Sequence, residues 1–406
     1  MCRIFFITVA LFFSNLLFSQ QANRLYEEGI SKMEKGDFRG AIHSFTNVLN
    51  GNISFFQANL ERGKCYEEIG KIDSAFIDYQ TAINKNANYA KSFYYRGKLY
   101  HKQKDYKKAI ADFSKSISIR DNVADAWYWR GLTYFETAEW QKAIDDFTKL
   151  ISLDSKHKDG YYYRALCLTQ LKRNSEAISD LNKVLSFDNS YKIAYFQRAI
   201  CYENENQNEK AINDYTKAIS LGLSSVEVHK KRMRIAFLSK RWKLVIEDAN
   251  KLIFDFKDKS TQTLSYRADA YMSTADYTPA IKDYTKLIQL DRNNYDAYLK
   301  KAECHRLMNK IPMALSELRK ASNLQPKSHE AFLEMGKILF EQKKYQESID
   351  NLNKAIKNNS KCADAYFYRG ACKDFLKDSK GSCEDLRKAA SLGHEEAIEI
   401  NKVKCK

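Results

Sequence analysis

Small and apolar residues recur along this 406-residue chain with a fixed period. A mostly small residue opens an apolar run at Ala41, Ala75, Ala109, Ala143, Ala177, Ala211, Val245, Ala280, Ala314, Ser348 and Ser382. Every step is 34 residues except Val245 to Ala280, which is 35. Twelve residues before each of these stands Gly29, Gly63, Gly97, Gly131, Ala165, Ala199, Met233, Ala268, Ala302, Gly336 or Gly370. Each of the eleven units reads as two helices. In the fourth, Trp127, Arg130, Gly131 and Tyr134 share one helical stripe, and Ala143, Phe147 and Leu150 share another. Small residues at Gly131 and Ala143 allow the two backbones to approach closely, and the aromatic rings fill the space around that contact.

The run Trp127-x2-Arg130-Gly131-x2-Tyr134, followed by Ala143-x3-Phe147, resembles the tetratricopeptide repeat, with Arg where that family usually has Leu. The family's closing Pro occurs once, as Pro326, and Asp or Asn suits the turn elsewhere, as at Asp154 and Asp188. The resemblance implies an all-α fold: a right-handed superhelical solenoid of about eleven helix-turn-helix repeats, with a concave groove lined by the first helices. Repeats 1–6 are expected over residues 22–225 and repeats 8–11 over 261–396, with a capping helix over 397–406 at the end of the chain. Residues 226–260 form a divergent seventh repeat. His229 and Met233 replace an aromatic and a small residue there, Val245 and Ala249 exchange volume, and the tail has one extra residue. Both sequence drift and a functional hinge fit that irregularity.

Residues 1–19 differ in kind. Arg3 precedes an apolar run from Ile4 to Leu17, which closes at Ser19, the layout of a signal peptide cleaved after that residue. The run is short for a membrane span, which needs about 20 apolar residues. An uncleaved anchor is the alternative. Cys2 precedes the apolar run rather than ending it, so no lipid anchor is implied. The Ser-Gln ending and the Lys- and Asn-rich remainder resemble exported proteins of Bacteroidota-type bacteria in style. The expected location is therefore outside the cytoplasm of a bacterium, periplasmic or secreted in its cell envelope, with no membrane span after cleavage.

A charge pair is repeated through the array. Arg62, Arg96, Arg130, Arg164, Arg198, Arg232, Arg267 and Arg369 precede the first small position, and sixteen residues after each stands Asp78, Asp112, Asp146, Asp180, Asp214, Asp248, Asp283 or Asp385. Lys301 is matched by Glu317, while Glu28 and Met335 are matched by Ser44 and Asn351. Covariation of this kind predicts contact, and a guanidinium fork on a carboxylate between the two helices of one hairpin supplies it. A ladder repeated so often reads as structural rather than catalytic.

The chain carries 67 Lys and Arg against 51 Asp and Glu, a net charge of +16, which puts nucleic acid among the partners to consider. Much of the positive charge falls on a Lys stripe of the second helices, from Lys115 through Lys149 and Lys183 to Lys388, expected to face solvent. The stripe expected to face the groove, equivalent to Asp125, Tyr128, Leu132, Phe135 and Glu136 in every repeat, holds eight basic and fifteen acidic side chains. An acidic groove is a poor seat for a phosphate backbone, so no nucleic-acid partner is expected. The same stripe carries Tyr94, Tyr128, Tyr162 and Phe196 in successive repeats, with Phe367 further on. Such rings can bind a partner's apolar side chains, or they can pack between repeats. Lys91, Lys98, His101 and Lys102 form a local basic cluster that can hold a carboxylate. The Asn residues that complete the family's carboxylate clamp are absent from these lines, so that function is not carried over.

Catalysis needs converging groups, and none are visible. Seven His are scattered, with no metal-binding spacing, Gly-rich phosphate loop or nucleophile elbow. No catalytic residue, metal or cofactor is expected. Cys65, Cys167, Cys201, Cys304 and Cys372 share one repeat position, too far apart for disulfides. They read as small buried hydrophobes. Cys362, Cys372 and Cys383 share the last repeat, where an oxidising compartment would allow one disulfide, and the sequence leaves open whether it forms. The function expected is a non-catalytic exported scaffold that binds a protein or peptide in its groove. An envelope adaptor that binds polysaccharide or peptidoglycan through the aromatic run is the alternative.

Overall fold

The computed structural model describes residues 20–52 and 54–405, all of whose regular structure is helical. The signal-peptide reading of residues 1–19 lies outside the described residues. The chain divides into two compact units, one ending at Gln207 and one beginning at Asn208.

In the first unit the helices are α1 (residues 20–34), α2 (Phe38–Gly51), α3 (Phe56–Glu68), α4 (Ile72–Lys85), α5 (Ala90–Lys102), α6 (Tyr106–Ile119), α7 (Ala124–Glu136), α8 (Trp140–Leu153), α9 (Lys158–Gln170), α10 (Asn174–Phe187) and α11 (Lys192–Asn204). The second unit holds α12 (Asn208–Ser220), α13 (Val226–Leu238), α14 (Trp242–Asn250), α15 (Thr261–Ser273), α16 (Tyr277–Leu290), α17 (Tyr295–Leu307), α18 (Ile311–Leu324), α19 (Glu330–Glu341), α20 (Tyr345–Asn358), α21 (Ala363–Phe375), α22 (Ser379–Ser391) and α23 (Glu395–Lys404). Odd-numbered helices through α21 are the first helices of their repeats.

The turn inside every repeat has one geometry. Gly36, Gly70, Lys104, Ala138, Lys172, Asn206, Lys240, Ala275, Asn309, Lys343 and Lys377 all adopt positive φ. At Ala138 the amide donates to Phe135 O at 3.1 Å and the following Glu139 amide to Tyr134 O at 2.8 Å. These two bonds cap the carbonyls that the helix end leaves open. Only two of the eleven positions are Gly, so nine turns hold an L-residue in the left-handed region.

Close backbone approach inside the hairpin fixes the small positions. A Cβ built on Gly131 would lie 2.8 Å from the Phe147 ring, nearer than real side chains come. The fully buried core of the fourth and fifth repeats then runs through Ala143, Phe147, Leu150, Ala165, Ala177, Leu181 and Val184.

The Arg residues do more than bridge one hairpin. Arg130 donates Nε to Asp146 Oδ2 and Nη2 to Oδ1, both at 2.8 Å. The same two-pronged contact joins Arg62 to Asp78, Arg96 to Asp112, Arg164 to Asp180, Arg267 to Asp283 and Arg369 to Asp385. Arg232 reaches Asp248 in the same way and also Glu247. Arg198 and Asp214 fall in different units. The remaining Nη1 reaches back one repeat, from Arg62 to Thr46, Arg96 to Gln80, Arg164 to Thr148, Arg198 to Asn182, Arg232 to Thr216, Arg267 to Asn250 and Arg369 to Asn353. One guanidinium thus ties three helices, and the carboxylates beneath it are buried.

The seventh repeat absorbs its extra residue in a π-helical turn, Lys251–Asp255, directly after α14. His229 Nδ1 lies 2.7 Å from Asp248 Oδ1, so the carboxylate under Arg232 gains a second buried partner in this repeat. The capping helix begins at Glu395, two residues before the expected start, because the His394 ring accepts the Ala397 amide as a cap. Of Cys362, Cys372 and Cys383, for which the sequence leaves one disulfide open, only Cys383 is bridged, and its partner is Cys405, with Cα atoms 5.3 Å apart. Cys372 is turned toward α20, where it meets Ser348 Oγ, and Cys362 is buried in the same core cluster. Cys383 on α22 alone faces the end of the cap.

Candidate peptide-binding face

The side chains of successive first helices interlock differently in the two units. In the first, Tyr128 and Tyr162 turn toward the next repeat, while Tyr94 meets Tyr95 and Phe113 of its own. Tyr128 meets His157 at 5.0 Å and Tyr163 at 6.3 Å between ring centres, and Tyr162 meets Tyr191 at 5.5 Å. Both tyrosines are half-buried, and burial pushes their hydroxyls well above the ordinary phenol value. Phe196 is also half-buried, and Phe367 stacks on His394 at 4.1 Å.

The basic cluster does not gather into one pocket. Lys102 pairs with Glu67 of the preceding repeat, His101 contacts Thr133 Oγ1 at 3.0 Å, and Lys91 is exposed. Lys98 instead lies between three rings, with Nζ 5.6 Å from the centre of Tyr94, 5.7 Å from Tyr95 and 5.3 Å from Trp129. Tyr95 and Trp129 were missed by the stripe of Tyr94 and Tyr128, although an aromatic follows each of Tyr94, Tyr128 and Tyr162 in the sequence. A residue step of about 100° carries them onto the neighbouring face of the same helix.

In the second unit the first helices α15, α17, α19 and α21, with Leu318 of α18, line a cleft of about 500 Å³. Its apolar surface comes from Met272, Leu299, Leu318 and Ile338, and Tyr368 stands at one end. Glu303, Glu334 and Glu341 line it together with Lys300, Arg306 and Lys337. The cations are already engaged. Lys300 donates to both oxygens of Asp269 at 2.8 Å. Arg306 forks onto Glu303 at 2.8 and 2.7 Å and approaches Glu341 at 3.6 Å. Lys337 meets Asp364 at 3.0 Å and Glu334 at 3.2 Å. The hydrogen bond to Glu303 and the fields of Glu341 and Glu334 hold the Arg306 guanidinium above its ordinary value. Burial works against the charge of Lys337, but Asp364 and Glu334 outweigh it and raise its pKa. Glu303, Arg306, Lys337, Glu341 and Asp364 fall on the repeat positions of Asp125, Leu132, Phe135 and Glu136; the cleft itself follows only from their spacing in the fold.

Among the described residues, no cluster of three or more His, Cys, Asp or Glu has metal-binding geometry. Burial pushes the thiols of Cys65, Cys167 and Cys304 up to about 12, a range in which they are inert as nucleophiles. Of the Lys stripe on the second helices, Lys149 is half-buried and the rest are exposed.

Four models described as tetratricopeptide repeat match residues 26–92, 90–122, 124–157 and 193–221. The chain belongs to the tetratricopeptide-repeat family. Over residues 257–355 this tetratricopeptide-repeat chain also matches the model of anaphase-promoting complex, cyclosome, subunit 3. It is 33% identical over 117 residues to Hsp70-Hsp90 organizing protein 1 of Glycine max, a match covering 29% of this chain and 19% of that relative's length. Small glutamine-rich tetratricopeptide repeat-containing protein 2 of Mycosarcoma maydis is 27% identical over 95 residues, 23% of this chain and 27% of its own length. The chain therefore spans about a quarter or less of the curated relatives it matches. Among solved structures, yeast Tom70 is similar at 14% identity and a TM-score of 0.39, over 95% of this chain and 96% of that one. The family's fold serves protein–protein interaction, and no helix among the described residues is long and apolar enough to cross a membrane.

Proposed function

We propose that this protein is an exported, non-catalytic scaffold that holds a protein or peptide segment along the groove of its first helices. The cleft between α15, α17, α19 and α21 carries this reading: half-buried Met272 and Leu299 reach its surface above buried Leu318 and Ile338, and every cation around it is spent on a carboxylate. Export is supported by sulfur placement. The disulfide Cys383–Cys405 suits an oxidising compartment, and the six remaining described cysteines are buried thiols. The adaptor reading, with polysaccharide on the aromatic run, has less support, because Tyr94, Tyr128 and Tyr162 spend their faces on neighbouring rings.

The test is site-specific photo-crosslinking in an envelope extract. A crosslinker at Leu299 is expected to capture a partner protein that a crosslinker at Lys286, on the outer face of α16, does not. Capture from Lys286 with none from Leu299 would overturn the reading.

A further inference from the structure

Three carboxylates line the cleft of the second unit, and two more hold its cations from the margin. Glu303, Glu334 and Glu341 are in the lining, while Asp269 grips Lys300 and Asp364 grips Lys337. Against these five stand three cations, each within ion-pair distance of at least one of them. No cation is left to receive an anionic ligand. Glu341 is the least committed acid, half-exposed and only 3.6 Å from an Arg306 that is already forked onto Glu303. Between the charges lies the half-buried apolar surface of Met272 and Leu299, with Ile338 buried behind it.

We infer that this cleft takes a basic segment of a partner protein, with one aliphatic side chain against Met272 and Leu299 and a flanking Lys or Arg on Glu341 and Glu334. The inference rests on the reading of the first-helix face as the binding face and names what that face selects. Three features argue for this occupant. The volume of about 500 Å³ accommodates a few side chains rather than a folded surface. The excess of carboxylates repels an acidic segment and steers a basic one. The chain as a whole, at a net charge of +16, repels basic peptides, so attraction to one cleft stands out above non-specific association.

The experiment is fluorescence polarisation on the full chain with three labelled peptides of equal length: Lys/Leu, Glu/Leu and Lys/Ser. The Lys/Leu peptide is expected to bind about tenfold or more tightly than either other, an affinity that falls as salt is raised. The double variant Glu334→Gln and Glu341→Gln is expected to lose about tenfold, whereas Glu384→Gln, exposed on α22, is expected to bind like the parent. The Gln side chains keep the shape and hydrogen-bonding capacity of the acids, and circular dichroism checks the fold. Equal or tighter binding of the Glu/Leu peptide overturns the assignment, as does a Lys/Ser peptide that binds as well as Lys/Leu. So does a double variant that binds like the parent, or failure of all three peptides to bind. Such a failure with Leu299 crosslinking intact removes only the basic-segment assignment; loss of both removes the binding face as well.

Discussion

Arg130 and Ser114 stand in different repeats, yet Nη1 of the first donates to Oγ of the second at 3.0 Å. The guanidinium that closes one hairpin on Asp146 is therefore also the link to the helix before it. The same geometry at Arg164 joins Thr148 and Asp180. Removing Arg164 alone strands a buried carboxylate, which costs about 3 kcal/mol or more. Removing both partners strands nothing. Arg164→Ala is expected to lower the melting temperature of the full chain more than the double variant with Asp180→Ala does. Equal losses would show that the pair is not coupled.

Nine of the turns inside the repeats hold a non-Gly residue at positive φ, a conformation that costs an L-residue about 1 kcal/mol. Ala138 is a favourable place to relieve it, because its side chain is exposed and its amide bond to Phe135 survives the change. Ala138→Gly is expected to raise the melting temperature despite the added freedom of the unfolded chain. Gly131→Ala, seven residues earlier, is expected to lower it by forcing a Cβ into the Phe147 ring. Thermal melts followed by circular dichroism read both.

His305 is buried on α17 and its Nδ1 has no hydrogen-bond partner. Burial, reinforced by Lys301 and Lys310, depresses its pKa below the ordinary 6.5. The folded state thus binds this proton less readily than the unfolded state. Stability from this group is full above the unfolded value and is lost as pH falls from 6.5 toward the folded value. The melting temperature is expected to drop between about pH 7 and pH 5.5, and His305→Gln is expected to reduce that drop.

The cap is held by Cys383–Cys405, which closes a 22-residue separation, and by Lys404 on Asp374. Beneath α23 lie Leu386 and Ala389, with Phe367 packed alongside. Reduction is expected to weaken the docking of α23 by about 2–4 kcal/mol. Hydrogen exchange over residues 395–404 should speed up in reductant for the parent chain. It should already be fast, and insensitive to reductant, in Cys383→Ser.

Much of the repeat was legible because its cause is local. The spacing of Gly131, Ala143 and Phe147 follows from the pitch of a helix and the volume of a ring, and both are properties of residues within one hairpin. The partnership of Arg130 with Asp146 was visible as covariation, because the loss of either leaves the other buried and uncompensated. The acceptor one repeat back was equally present as Thr, Gln, Ser or Asn sixteen or seventeen residues before each Arg. Where Met335 replaces the Arg, that place holds Arg319.

What the sequence determined alone is the hairpin, its eleven-fold recurrence and the charge pair inside it, since each depends on contacts between neighbouring helices at fixed separations. Tertiary structure decided the rest. The choice of Cys405 over Cys362 and Cys372 as the partner of Cys383 depends on which face of α22 the cap covers. The fate of Tyr128 depends on the next repeat's His157 and Tyr163, and the cleft beside Leu299 depends on four first helices and α18 at once. A helical period tells which residues share a stripe, but the space between stripes on different helices is set by how side chains from several repeats pack against one another.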